Sequence, residues 1–167
     1  LEQLIKIFKK SGINSEVHSL LNSISHIKTI ITTNYDNLIE ENISGAQPIF
    51  SSNQIPYIDK NKVQVFKAHG DLSDPNSIIL LKSDYVNFFK NSEEYNIFWT
   101  VLKERIATKS ILFIGYNLED PNVEVVFNRI SDALGNHKKE SFLVAPDLPD
   151  AKVKSLVRKG IDYINMS

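Results

Sequence analysis

Short apolar runs that each close on a polar cluster, then give way to helix-like periodicity, recur along this chain of 167 residues. The first is Ile30-Ile31-Thr32-Thr33-Asn34-Tyr35-Asp36, and the second is Val65-Phe66-Lys67-Ala68-His69-Gly70-Asp71. A third runs Ile111-Leu112-Phe113-Ile114-Gly115-Tyr116-Asn117-Leu118-Glu119-Asp120-Pro121. Strands alternating with helices argue for a parallel α/β sheet, because parallel neighbours need a crossover connection. In such sheets ligands bind in the crevice outside the carboxyl ends of the strands. Three polar motifs in that position predict one shared pocket.

The remaining elements follow from periodicity. Val17, Leu20, Leu21 and Ile24 fall at i, i+3, i+4 and i+7, which predicts a helix over about 14 to 25. Strands are expected at Lys28 to Thr32, Val63 to Lys67, Ser110 to Ile114, Phe142 to Ala145 and Ile161 to Ile164. Ser110 to Ile114 is so apolar that both of its faces should be buried. Helices are expected from Ser83-Asp84-Tyr85, over about 93 to 107, and from Asp150 to Lys159. Another should start at Asp120 with Pro121 in its first turn, burying Val123, Val126, Phe127, Ile130 and Leu134. Ile43 to Lys62 contains Gly45, Pro48 and Pro56 among polar residues and reads as a long excursion, a length typical of lids and binding loops.

A chain of this size fits one domain spanning residues 1–167 and can bury about 70% of its unfolded surface. Its 42% hydrophobic and 23% charged residues argue against wholesale disorder. With a net charge of −1 there is no electrostatic reason to expect nucleic acid or an anionic membrane as a partner. The absence of cysteine excludes disulfides, thiolate nucleophiles and Cys-based zinc sites, and agrees with a cytoplasmic setting. Acidic residues are scattered, so no metal is expected. No apolar run reaches the roughly 20 residues that span a bilayer. Opening on Leu1 rather than methionine suggests a part of a longer protein.

Each motif has a plain structural reading beside its functional one. Thr32, Thr33, Asn34 and Asp36 are residue types that cap helices, satisfying free backbone N–H groups. An amide at Asn34 can instead hold a ribose hydroxyl or a water, donating and accepting together. His69 at a strand end is either a hydrogen-bonded structural residue or a group that titrates near neutrality, and Gly70 lets another group approach the backbone. Gly115-Tyr116-Asn117 is either a tight turn or the rim of an anion site at a helix start. Trp99 and Phe98 at helical spacing read as core. Lys152, Lys154, Arg158 and Lys159 read as a solvated helix face.

Taken together, Thr32-Thr33-Asn34-Tyr35-Asp36, Lys67-Ala68-His69-Gly70-Asp71 and Phe113 to Pro121 closely resemble the sirtuin-like family, in the family's order, over roughly residues 15 to 147. The resemblance implies a Rossmann-like parallel sheet with helices on both faces. It implies Asn34 and His69 as catalytic residues, with His69 a general base beside the nicotinamide ribose. Thr33, Asp36, Gly70, Gly115, Tyr116 and Asn117 would bind NAD, and Asp147 would lie at its adenine end. The family's opening glycine-rich strand, which cradles the NAD pyrophosphate, is lacking; all six glycines are isolated, and that segment is expected upstream of Leu1. The missing four-cysteine zinc module favours the branch that hydrolyses NAD to nicotinamide and ADP-ribose in bacterial anti-phage defence. A fused sensor domain and a homo-oligomer would accompany that role. A non-catalytic NAD- or ADP-ribose-binding module and an NAD-dependent protein deacylase are the alternative readings.

Overall fold

The computed structural model describes residues 16–79, 93–115, 127, 131–132 and 134–166. The chain divides into two compact units, with the boundary between Trp99 and Thr100. In the first unit, α1 (Glu16–Asn22) leads into β1 (Thr29–Thr32), followed by α2 (Leu38–Asn42), β2 (Ala46–Ile49) and β3 (Val63–Lys67). The three strands form a sheet in the order β1-β3-β2, and both pairings are parallel. Thr29 to Thr32 stand opposite Gln64 to Lys67, so β1 and β3 run out side by side.

Central position explains why β3 is buried from Gln64 to Lys67. Its side chains alternate between faces. Val65 packs with Ile39 and Ile43, joined by the half-buried Leu21, while Phe66 meets Phe98 with ring centroids 5.7 Å apart. Of the four periodic residues that predicted α1, Leu21 alone joins this cluster; Val17, Leu20 and Ile24 are exposed among the described residues. Val17 and Leu20 lie within the described helix on its exposed side, and Ile24 falls beyond its end.

The stretch from Ile43 to Lys62 overturns the expectation of a loop, since it holds β2 and a 3-10 helix, Ser52–Tyr57. Pro48 is tolerated because, among the described residues, β2 is an edge strand, where a missing N–H breaks no ladder. Gln54 Oε1 accepts hydrogen bonds from the N–H groups of Phe50 (2.8 Å) and Ser51 (3.0 Å), which fixes the 3-10 helix start. Gln47 then clasps the far end, donating to the Tyr57 carbonyl and accepting from the Asp59 N–H, both at 2.9 Å.

α3 (Glu93–Thr108) begins in the first unit and ends in the second. There β4 (Ile111–Ile114), β5 (Ser141–Ala145), α4 (Asp150–Arg158) and β6 (Asp162–Asn165) follow. The strands pair in parallel in the order β4-β5-β6, over a core of Phe113, Phe127, Leu143, Leu156 and Ile161. β4 departs from expectation: Phe113 is buried, but Leu112 and Ile114 are each 48% exposed among the described residues. An apolar run specifies a strand without specifying how many of its faces are covered. Helix boundaries otherwise fall within one or two residues of the sequence reading. The expected helix at Ser83-Asp84-Tyr85, the Asp120 cap and most of the Val123 to Leu134 stripe lie outside the described residues, although Phe127 is buried as expected. Trp99 and Phe98 are core, edge to face at 5.6 Å. Parallel sheets with crossover helices make this a Rossmann-like α/β fold. No described helix is long and apolar enough to cross a membrane.

Candidate functional site

Register carries the first two motifs to one edge of the first unit. Thr32 and Lys67 are the last paired residues of β1 and β3, and the Ala68 N–H still donates to the Thr32 carbonyl at 2.9 Å. Asn34 and His69 each lie two residues beyond that pair. Strands in a sheet are about 4.8 Å apart, so both residues emerge from neighbouring strand ends. Asn34 is exposed, and its side chain is engaged by none of the described residues. Its N–H donates to Thr32 Oγ1 at 3.1 Å, and Asp36 Oδ1 accepts from the Leu38 N–H at 3.1 Å. Thr32 and Asp36 thus shape the turn locally, which is the capping reading, and leave Asn34 facing solvent. Thr33 is half-buried beside it.

What joins the two motifs is Lys67, a residue to which the sequence reading assigned no role. Its side chain is fully buried at the end of β3. The Nζ donates to the carbonyls of Asp36 (2.7 Å) and Tyr35 (3.3 Å) and to Asn37 Oδ1 (3.0 Å). It also pairs with Asp71 Oδ2 at 2.5 Å and with Glu40 Oε1 at 3.4 Å. A buried ammonium is tolerated only when oxygens replace its water shell. Here they come from the turn after β1, from α2 and from the loop after β3. A lysine inside the buried run Val65 to Ala68 was the available signal, since lysine is almost never buried without partners.

The loop after β3 is closed by its own hydrogen bonds. Gly70 has φ +89°, and a Cβ there would collide with the Ser77 carbonyl, so only glycine fits. The group that approaches the Gly70 backbone in this structure is the chain itself. Ser77 Oγ accepts from the Asp71 N–H at 2.9 Å and donates to the Asp74 carbonyl at 2.7 Å. The Ile79 N–H donates to the His69 carbonyl at 3.0 Å, and the Tyr35 hydroxyl donates to the Ile79 carbonyl at 2.6 Å. Tyr35 therefore reaches from the first motif across to the second, its ring 6.0 Å from the buried His69 ring.

Charge is unevenly held in this cluster. Burial pushes the Glu40 carboxyl above the ordinary glutamate range, and Lys67 opposes it only in part. Burial acts to raise Asp71 as well, but hydrogen bonds from Lys67 and Ser73 outweigh it and hold that carboxyl below the ordinary aspartate range. Beside the same ammonium, the ionised form is thus favoured more strongly at Asp71 than at Glu40. A shallow cavity of about 210 Å³, lined by Leu21, Ile24, Ile30 and Val63 among others, lies toward the amino ends of β1 and β3, away from these motifs.

In the second unit Gly115 follows β4 with φ +59°, a conformation that favours glycine, and it is exposed. Tyr116 and Asn117 lie outside the described residues. Asp147 follows β5, exposed and at φ +32°. Asn165, which the sequence reading did not single out, clasps it in both directions: Oδ1 accepts from the Asp147 N–H (3.1 Å) and Nδ2 donates to Asp147 Oδ1 (3.2 Å). The Tyr163 hydroxyl accepts from the Leu148 N–H and donates to the Ala145 carbonyl, so β6 sets the loop after β5. Among the described residues no group of three or more histidines and carboxylates has the arrangement of a metal site.

Comparison with known proteins agrees with this architecture. Residues 28–164 match the family model described as SIR2-like domain, and the chain belongs to that family. Among curated relatives, the NAD(+) hydrolase ThsA of Enterococcus faecium is 32% identical over 141 residues, covering 78% of this chain and 28% of its own length. The protein of the same name from Bacillus cereus strain MSX-D12 is 28% identical over 162 residues, 90% of this chain and 33% of the relative. Defense-associated sirtuin 2 of Bacillus subtilis is 27% identical over 152 residues, 81% of this chain and 14% of the relative. The chain thus spans a third or less of these relatives.

Proposed function

We propose that this chain is the catalytic part of a bacterial defence protein that cleaves the nicotinamide–ribose bond of NAD. The observation that carries the reading is the emergence of Asn34 and His69 from adjacent parallel strand ends, tied by one buried lysine. Relatives named as NAD(+) hydrolases and as a defence-associated sirtuin support it. In the reaction the C1′–N bond breaks and its electron pair leaves with neutral nicotinamide. The oxocarbenium-like ribose is captured by water, and the proton released from that water goes to His69 as general base. Asn34, exposed and uncommitted to the turn, holds the water or the ribose hydroxyls. Thr33, Asp36 and Gly70 border the ribose, while Gly115, Tyr116, Asn117 and Asp147 serve the adenosine half. NAD is the substrate and no metal takes part. The wider reading places the protein in the cytoplasm, with a fused sensor domain and self-association restraining a toxic activity until phage infection.

The test is chromatographic. Full-length protein incubated with NAD, without any acylated peptide, should release nicotinamide and ADP-ribose. Asn34→Ala and His69→Ala should each lower turnover by about 100-fold or more while leaving the thermal unfolding midpoint near that of the parent. Full turnover by either variant would remove that residue from the reaction. Binding of NAD without cleavage by the parent protein would make the chain a nucleotide-binding module.

A further inference from the structure

We propose that Lys67 is a positioning residue, whose buried ammonium sets the turn bearing Asn34 against the loop bearing His69. The inference rests on the reading of these two residues as the reacting pair. Lys67 is the last residue of β3, and its side chain has no exposed surface, so the charge cannot reach water. Three donor protons meet five oxygens. Two are the carbonyls of Tyr35 and Asp36, one and two residues after Asn34. One is the carboxylate of Asp71, two residues after His69. Asn37 and Glu40 supply the remaining pair from the start and middle of α2.

Peptide units are planar, so holding two successive carbonyls on one point fixes the backbone from Tyr35 to Asn37, the segment that follows Asn34. The Asp71 carboxylate is in turn fixed by the Ser73 N–H at 2.7 Å, and its own N–H by Ser77. A displacement on either side is therefore passed to the other through the ammonium. Without that charge, two carboxylates and two carbonyls would face one another in a buried space, and the turn and the loop would separate. Lys67 itself touches neither Asn34 nor His69 in the contacts above, so its action is on placement. Geometry of this kind matters because a misplacement of about 1 Å can lower a rate by about 100-fold.

The experiment compares full-length wild type with Lys67→Met and Asp71→Asn, by NAD cleavage and by amide hydrogen exchange. Lys67→Met should lower kcat by about 100-fold while KM changes by less than about threefold, the split expected when binding groups remain and alignment is lost. Asp71→Asn should speed exchange in residues 33–37 by about tenfold, although that segment is linked to Asp71 through Lys67. A kcat within about threefold of wild type in Lys67→Met, or exchange in Asp71→Asn confined to residues 69–79, would overturn the proposal. If wild type fails to cleave NAD, the functional reading falls and the exchange measurement alone decides the coupling. Should Lys67→Met fail to fold, Asp71→Asn carries both readouts, with the same outcomes for and against.

Discussion

Strand ends in the two units are built by opposite means. At the ends of β1 and β3, backbone carbonyls and two carboxylates gather around an ammonium with no exposure to solvent. At the ends of β5 and β6, Asn165 and Tyr163 clasp a loop that stays exposed at Asp147. A buried charge is costly to desolvate, yet once surrounded by oxygens it permits one arrangement only. Surface hydrogen bonds contribute little and yield easily. The contrast teaches that the strand ends of the first unit are held in one fixed arrangement, whereas the loop after β5 is held only by hydrogen bonds at an exposed surface.

Three changes would break or sharpen that contrast. Leu156→Ala, deep in the second core beside Phe113 and Leu143, should lower stability by about 2–5 kcal/mol in denaturant unfolding. Turnover per folded molecule should hold; a matching fall in kcat would show that the second unit shares the demand for fixed geometry. The next effect depends on pH. Glu40 binds its proton more tightly folded than unfolded, so the stability from that proton is present at low pH and lost as pH rises through the folded value. Asp71 has the opposite sign: its contribution is present above the unfolded value and lost as pH falls through the folded one. Thermal midpoints should therefore fall as pH drops through the Asp71 carboxyl and, in the other direction, as pH rises through the Glu40 carboxyl, and Glu40→Gln should flatten the high-pH limb alone. An unchanged profile in that variant would remove Glu40 from the charge balance. The smallest effect is expected for Asn165→Ala. It should cost about 0.5 kcal/mol or less and raise KM for NAD by a few-fold at constant kcat. A fall in kcat instead would show that the Asp147 loop acts on the chemistry.

How much could be read in advance depended on the range of the interactions. β3 and the three polar motifs were legible because apolar runs and turn residues act locally. The double burial of β4 was misread, since exposure is decided by what packs from elsewhere in the chain. At the candidate site, Asn34, His69 and Gly70 stood out as polar and turn residues at strand ends, while their proposed roles came from the family resemblance. Lys67 was passed over, although it stands in the quoted motif, because its partners lie some thirty residues upstream, at Tyr35, Asp36 and Asn37. Asn165 was equally hidden, 18 residues beyond the aspartate it holds. No periodicity announces a contact of that kind.

The proline that disguised β2 as a loop has a further effect on the molecule. β2 pairs only with β3 among the described residues, leaving its outer rim as a template on which a strand from another molecule could grow. Pro48 interrupts that rim, because a ring nitrogen offers no hydrogen to an incoming chain. The same residue that weakens the strand's signature thus removes a hydrogen-bond donor from the rim that the described residues leave open.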